Sequence, residues 1–168
     1  MAIKKEYVTP KLPTGLHIKW QGIFQLEALY KKMKFWLDFK GYTEFEEEEY
    51  LEVIKGDSKE IHIRWRAEKP KSSYFSYLLE FQFLITGFKT IEVPIEGKNV
   101  KMNKGTFELR MAACVVKDCG NRWKNKFIQD TYEKYIIRKM IDERKIDIYG
   151  DAYELHDEIK RFLTLRRF

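Results

Sequence analysis

Apolar and polar residues alternate along much of the first two thirds of the chain, a pattern typical of β-strands. The clearest case is the segment at residues 74–85, where every second side chain is apolar. That face carries Phe75, Tyr77, Leu79, Phe81, Phe83 and Ile85. We predict that this segment is the central strand of an antiparallel sheet.

From residue 42 to residue 116 the period stays at two, and turn residues divide the region into a meander. A turn over residues 55–59 would set Val53 opposite Ile61 and, two steps on, Leu51 opposite Ile63. A second turn over residues 69–73 would pair two apolar faces. It sets Ala67, Trp65, Ile63 and Ile61 opposite Phe75, Tyr77, Leu79 and Phe81. Interruptions at Gly87 and at Lys104-Gly105 then predict five or six strands, or seven with one near Trp20.

Apolar residues recur at three- and four-residue steps in three other segments, which predicts helices. The first stripe runs from Leu26 to Leu37 and ends before Gly41, a residue suited to a helix C-cap. A long helix is predicted from Asn121. Its buried side is predicted to hold Trp123, Phe127, Ile128, Tyr132, Tyr135, Ile136 and Met140. A terminal helix is predicted after Gly150, burying Ala152, Leu155, Ile159, Phe162 and Leu163.

Together these elements predict an α+β fold. An antiparallel meander sheet of five to seven strands packs against an N-terminal helix and a long C-terminal helix, with a terminal helix added. Pro10, Pro13 and Gly15 make residues 1–15 read as an extended N-terminal arm, and residues 16–168 as a single α+β domain. Such an arm could dock on its own domain or support self-association.

Charge adds an expectation about partners. The chain of 168 residues has a net charge of +6 and a pI near 9.1, which favours an anionic partner. Basic residues alternate with aromatic ones near residue 123 and again at the C-terminus. The predicted anion or nucleic-acid contacts are Arg122, Lys124, Lys126, Arg138, Lys139, Arg166 and Arg167.

Catalytic motifs are not recognised in the sequence. His17, His62 and His156 stand alone, without a second ligand at metal-binding spacing, and Cys114 and Cys119 lack a second pair. We therefore predict no catalytic, cofactor-binding or metal-binding residue. Because no apolar run reaches the ~20 residues that span a bilayer, a cytoplasmic protein without membrane contact is expected.

The most unusual local feature is the acidic run Glu46-Glu47-Glu48-Glu49, preceded by Glu44. On a strand, Glu44, Glu46 and Glu48 share a face, and the next strand offers His62, Arg64 and Arg66 there, which predicts an ion-paired, solvated face. The same alternation resembles two strands of the triphosphate tunnel enzymes. That resemblance implies a metal-dependent phosphohydrolase, although Tyr50 stands where the motif of that family has Lys.

Two further resemblances concern the whole chain. The order of strand, helix, meander and long C-terminal helix is similar to the helix-grip arrangement of START-like domains, which implies a cavity for an apolar ligand. Five short motifs resemble a set of small archaeal proteins, which implies an archaeal cytoplasmic setting. They are Trp20-x-Gly22, Tyr30-x-x-Met33, Lys40-Gly41-Tyr42, Glu49-Tyr50 and Asn103-Lys104-Gly105.

The function predicted from these features is that of a non-enzymatic binding or assembly protein with a basic surface, in a larger nucleoprotein or protein assembly. A START-like carrier of an apolar ligand is the alternative, and a triphosphate tunnel-like enzyme is a further one.

Overall fold

The computed structural model of the chain describes residues 4–165, in which six strands and three helices form an α+β fold. The strands are β1 (Lys4–Tyr7), β2 (Leu16–Phe24), β3 (Glu44–Lys55), β4 (Ser58–Pro70), β5 (Phe75–Ile95) and β6 (Lys98–Lys117). The helices are α1 (Leu26–Lys40), α2 (Lys126–Tyr135) and α3 (Arg138–Leu165). The predicted fold class, an antiparallel sheet with a long C-terminal helix, is confirmed.

The sheet order is β3-β4-β5-β6, and both β1 and β2 pair with the far edge of β6. β1 lies beside residues 114–117 and β2 beside residues 103–111. The loop that follows β1 is also bonded to β6, since the Val8 amide donates to the Ala113 carbonyl (3.0 Å) and the Ala113 amide donates to Thr9 Oγ1 (2.9 Å). The described part of the predicted arm thus lies on the chain's own sheet.

The core occupies one face of the sheet, beneath α1 and α3. Trp65 lies near its centre, with its ring in edge contact with those of Tyr30 and Phe83 at centroid distances of 4.4 and 4.8 Å. Its indole N–H donates to Glu47 (2.8 Å), so its one polar group is satisfied. The residues predicted to be buried by the end of α3, Ala152, Leu155, Ile159, Phe162 and Leu163, are buried.

The first hairpin differs from its predicted register by one residue. Only Gly56 and Asp57 lie in the turn, and Lys55 pairs with Ser58. Gly56 has φ 65°, which suits the first position of a two-residue hairpin loop. A shift of one residue exchanges the faces of a strand, so Leu51 and Val53 lie on the opposite sheet face from Ile61 and Ile63.

In the second hairpin the predicted apolar faces of β4 and β5 do lie together, but the paired residues differ from the prediction. Trp65 pairs with Phe81 and Ala67 with Leu79, four residues further along β5 than predicted. The strand breaks predicted at Gly87 and at Lys104-Gly105 are absent, because β5 and β6 continue through these positions. Gly87 lies in a bulge of β5, and Gly105 continues β6 where a Cβ would approach the Thr86 carbonyl oxygen to 2.8 Å.

The first helix begins and ends as predicted, whereas the C-terminal helices have different boundaries from those predicted. Gly41 caps α1 with φ 90°, as predicted. Asn121 does not begin a helix; its φ is 48°, and Asn125 caps α2 by accepting from the Phe127 amide (2.9 Å). α3 continues through Gly150 without a new start. None of these helices within residues 4–165 is long and apolar enough to cross a membrane.

A glycine-to-alanine change at position 150 tests the continuity of α3. Nothing lies within 4 Å of a Cβ built at Gly150, which sits inside the helix. Gly150→Ala should therefore stabilise the protein by about 0.5–1 kcal/mol in urea unfolding. Gly105→Ala is the contrasting variant and should destabilise it by about 1–3 kcal/mol. A neutral or destabilising Gly150→Ala would show that a helix begins at that position instead.

Candidate interaction surface on α2

α2 is an amphipathic helix whose apolar side faces the solvent. Phe127 and Tyr135 are 77% and 73% exposed, and Ile128 is 50% exposed. Ile136, directly after the helix, and Met140, in the first turn of α3, are exposed as well. The prediction that these five residues are buried is wrong, and Trp123 and Tyr132 of the same predicted face are only half-buried.

The side of α2 that faces the body of the protein is polar apart from Tyr132, which packs against the core. Gln129 and Glu133 are its two buried residues, each 5% exposed. One carboxylate oxygen of Glu133 accepts from the Tyr74 hydroxyl (2.7 Å) and from Gln129 Nε2 (3.0 Å). The other accepts from Lys117 Nζ (2.7 Å) and from Lys4 Nζ (3.0 Å). Four donors thus meet on one carboxylate. They come from β1, from the residue before β5, from β6 and from α2 itself.

The ionised form of Glu133 is strongly favoured by this arrangement. Burial alone would raise the pKa of Glu133, but the hydrogen bonds from Lys117, Tyr74 and Lys4 lower that pKa to about 2. Lys117 is itself only 2% exposed and also lies 3.2 Å from Glu6. Its charge is therefore compensated entirely inside the protein.

The polar cluster decides which way α2 is turned. Rotating the helix to bury Phe127 would withdraw Glu133 and leave the buried charge of Lys117 with Glu6 alone. An unpaired buried charge is far less favourable than exposed apolar side chains. The outward direction of the apolar side chains is consequently a property of the fold.

We call the exposed apolar residues and the basic residues around them the α2 surface. Its apolar members are Phe127, Ile128, Tyr135, Ile136 and Met140, and its basic members are Arg122, Lys124, Lys126, Arg138 and Lys139. All five basic residues come from the sequence-based prediction, and the structure brings them together along α2 and its two ends. Arg166 and Arg167 of the same prediction lie outside the described residues.

The charges of the α2 surface are mostly uncompensated. Arg122 donates to the Ser73 hydroxyl (2.7 Å), and within residues 4–165 none of Lys124, Lys126, Arg138 and Lys139 forms an ion pair. Asp130 and Glu133 of α2 are taken by lysines of β1 and β6. Asp142 and Glu143 follow Arg138 and Lys139 by one turn of α3 but form no ion pair with them among the described residues. Basic residues thus precede and follow the apolar residues of α2, and we call them its basic rim.

The acidic run of β3 lies at the opposite edge of the sheet. In the ladder of β3 and β4, Glu46 lies opposite Arg66 and Glu49 opposite Arg64, on the face away from the helices. The extra residue Glu48 forms a bulge. The distance from Glu49 to Arg64 is 4.0 Å, at the limit of an ion pair. In the part of the chain that is described, no pairing joins β3 to β1 or β2, so the strands do not close into a barrel around these charges. No group of His, Cys, Asp and Glu among the described residues is arranged to hold a metal.

α1 and α3 pack directly against each other. Leu29, Met33 and Trp36 of α1 lie against Leu155 and Ile159 of α3. The space left between them is about 10 Å³, the room needed for one water molecule. Side chains fill this junction.

Comparisons with protein-family models, with curated proteins and with solved structures found no match to this chain.

Sequence reasoning missed the residues that orient this surface. Lys117, Tyr74 and Glu133 are far apart along the chain, and nothing in the pattern of β6 marks Lys117 as buried. One signal was present: Gln129 and Glu133 lie four residues apart, on the face of α2 opposite its apolar residues.

Removing the charge of Glu133 tests the polar cluster. Glu133→Gln should destabilise the protein by about 3 kcal/mol because it leaves Lys117 poorly compensated. The pKa of Glu133 is lower in the folded state than its ordinary 4.5, so its stabilisation is complete above about pH 5 and is lost as the pH falls towards 2. The free energy of unfolding measured in urea should therefore fall more steeply over this pH range for the wild type than for the variant.

Asp130→Asn is the matched control, because Asp130 pairs with Lys4 at the exposed surface. It should change stability by less than about 1 kcal/mol. Equal effects of the two variants would contradict the central role of Glu133.

Proposed function

We propose that the protein is a non-enzymatic, cytoplasmic binding protein of a nucleoprotein assembly, and that its α2 surface binds single-stranded nucleic acid. The observation that carries this proposal is the outward apolar side of α2 with its uncompensated basic rim. A ligand for this surface has to be anionic and has to offer flat or apolar groups. Single-stranded RNA and DNA have both, in their phosphates and their unpaired bases.

The exposed aromatic rings suit base stacking. Phe127 and Tyr135 lie two helical turns apart on α2, and Lys134 Nζ lies 5.3 Å from the centroid of the Tyr135 ring. Stacking of one base on an aromatic ring contributes about 1–3 kcal/mol and depends little on the sequence of the nucleic acid. Lys124, Lys126 and Arg138 would contact phosphates and release counterions.

The aliphatic members of the surface favour a second candidate, an acidic protein partner in the same assembly. Ile128, Ile136 and Met140 cannot stack on bases, whereas methionine and aromatic side chains surrounded by arginine are common in protein interfaces. In that case the apolar residues would form the centre of the interface and the basic rim would orient the partner.

Fluorescence anisotropy with a labelled oligouridylate tests the nucleic-acid proposal. Lys124→Glu combined with Lys126→Glu should weaken binding at least tenfold. The slope of log K against log salt concentration should become shallower by about 1.4, because two phosphate contacts are lost. Phe127→Ser combined with Tyr135→Ser should weaken binding with the slope unchanged, because stacking releases no counterions.

Matched controls come from exposed residues elsewhere. Lys98→Glu combined with Lys101→Glu at the β5-β6 turn keeps the same net charge as the basic variant, and Phe39→Ser removes an equally exposed ring from α1. Both controls should bind like the wild type. Equal weakening by the lysine control would show that only net charge matters, and no binding at low salt would overturn the proposal.

The protein-partner candidate has a separate test. A photo-crosslinking residue in place of Phe127 should give a discrete crosslinked protein band in an extract, and one in place of Phe39 should not. The same band from both positions would contradict a specific interface.

A further inference from the structure

A second exposed apolar segment lies at the other side of the molecule, on the edge strand β3. Within residues 4–165 β3 pairs with β4 alone, so its outer edge is open. Its last part has large apolar side chains on both faces: Tyr50 is 52% exposed, Leu51 47%, Val53 37% and Ile54 76%. An open edge with apolar side chains is a template for another strand.

The hairpin turn determines which backbone groups are free. In an antiparallel pair closed by a two-residue turn, the residues beside the turn exchange both hydrogen bonds. Lys55 pairs with Ser58, so Lys55, Val53 and Leu51 direct their backbone groups to β4. Ile54, Glu52 and Tyr50 must then direct theirs to the open edge.

We propose that this edge binds the same edge of a second copy of the chain, antiparallel and about a two-fold axis through Glu52. The free backbone groups of each copy then meet, with Tyr50 opposite the second copy's Ile54. On the other face Leu51 lies opposite Val53. One step further, Glu49 lies opposite Lys55 at both ends of the pairing.

Charge complementarity supports a second copy as the occupant. The segment has an acid at one end and a base at the other, so a second copy that runs antiparallel matches opposite charges at both ends, whereas a parallel copy does not. Glu49 and Lys55 are 45% and 61% exposed in their side chains. Within one copy Glu49 lies 4.0 Å from Arg64 and Lys55 pairs with Glu60, so the contact between copies would extend these pairs into small networks. The two Glu52 side chains meet at the axis and form the one like-charge contact of this register. Each carboxylate is partly compensated, because it accepts from the Tyr50 hydroxyl (2.7 Å) and lies 3.2 Å from Lys59.

The acidic run disfavours registers that are shifted towards the start of β3. Sliding the second copy towards the start of β3 would place its segment beside Glu46, Glu47 and Glu48. Like charges opposite each other destabilise strand pairing, and the bulge at Glu48 interrupts the ladder. The acidic run thus protects the first half of the edge and limits pairing to residues 49–55.

Charge reversal with mixing tests the register. Glu49→Lys places Lys opposite Lys55 in a homodimer, and Lys55→Glu places Glu opposite Glu49. Each variant alone should dimerise about tenfold more weakly than the wild type in sedimentation equilibrium. An equimolar mixture should recover the wild-type affinity to within about threefold, because both ends of the mixed pair then carry opposite charges.

Several results would overturn the proposal. They are a wild type that stays monomeric at the highest attainable concentration, single variants that dimerise like the wild type, and a mixture that does not recover. Far-ultraviolet circular dichroism and thermal unfolding establish that both variants fold. Lys124→Glu combined with Lys126→Glu should leave the dimer intact; its loss there would place the interface on the α2 surface, independently of whether nucleic acid binds.

Discussion

The buried ion pair between Lys117 and Glu133 is the contact on which the C-terminal half of the structure depends. Lys117 ends β6 and is 2% exposed, so its charge is stable there only with close partners. Those partners come from separate elements, Glu133 from α2 and Glu6 from β1, and Lys145 of α3 pairs with Glu6 in turn at 3.0 Å. A single charged side chain at the end of a strand thereby joins the N-terminal strand to α2, and Glu6 extends the same network to α3, whose apolar residues are buried in the core.

This mode of attachment explains why α2 can present apolar residues to solvent. Most helices of small domains are held by burial of their apolar face. α2 is held by charge-assisted hydrogen bonds, which are strong when shielded from water. Tyr132 packs against the core, but Phe127, Ile128 and Tyr135 stay exposed and so contribute little burial to folding, which leaves them free for an interaction.

The sequence predicted faces more reliably than it predicted registers. Alternation placed Trp65, Ile63 and Ile61 on the core side of β4 correctly. It could not choose between pairings that differ by four residues, since an even shift preserves both faces. In the first hairpin the outcome depended on a tight turn at Gly56, a feature of backbone conformation that alternation does not report.

The α2 surface shows a similar limit. Its basic residues and its apolar stripe were both visible in the sequence, and the stripe was assigned to the core because that is where such a face usually lies. The direction of the stripe is determined by Lys117 and Tyr74, which are 16 and 59 residues away from Glu133. Only the folded sheet brings those partners together.

The two proposed surfaces lie at opposite edges of the sheet, and this arrangement gives their combination a physical meaning. α2 is attached beside β1 and β6, whereas β3 forms the far edge. Joining two copies through β3 would produce one continuous sheet with an α2 surface near each outer edge, about 45 Å apart at ~4.8 Å per strand. A short oligonucleotide could occupy only one of these surfaces. A nucleic acid long enough to span both would bind with the gain in affinity that effective concentration provides, so dimerisation would select for length without any contact that reads sequence.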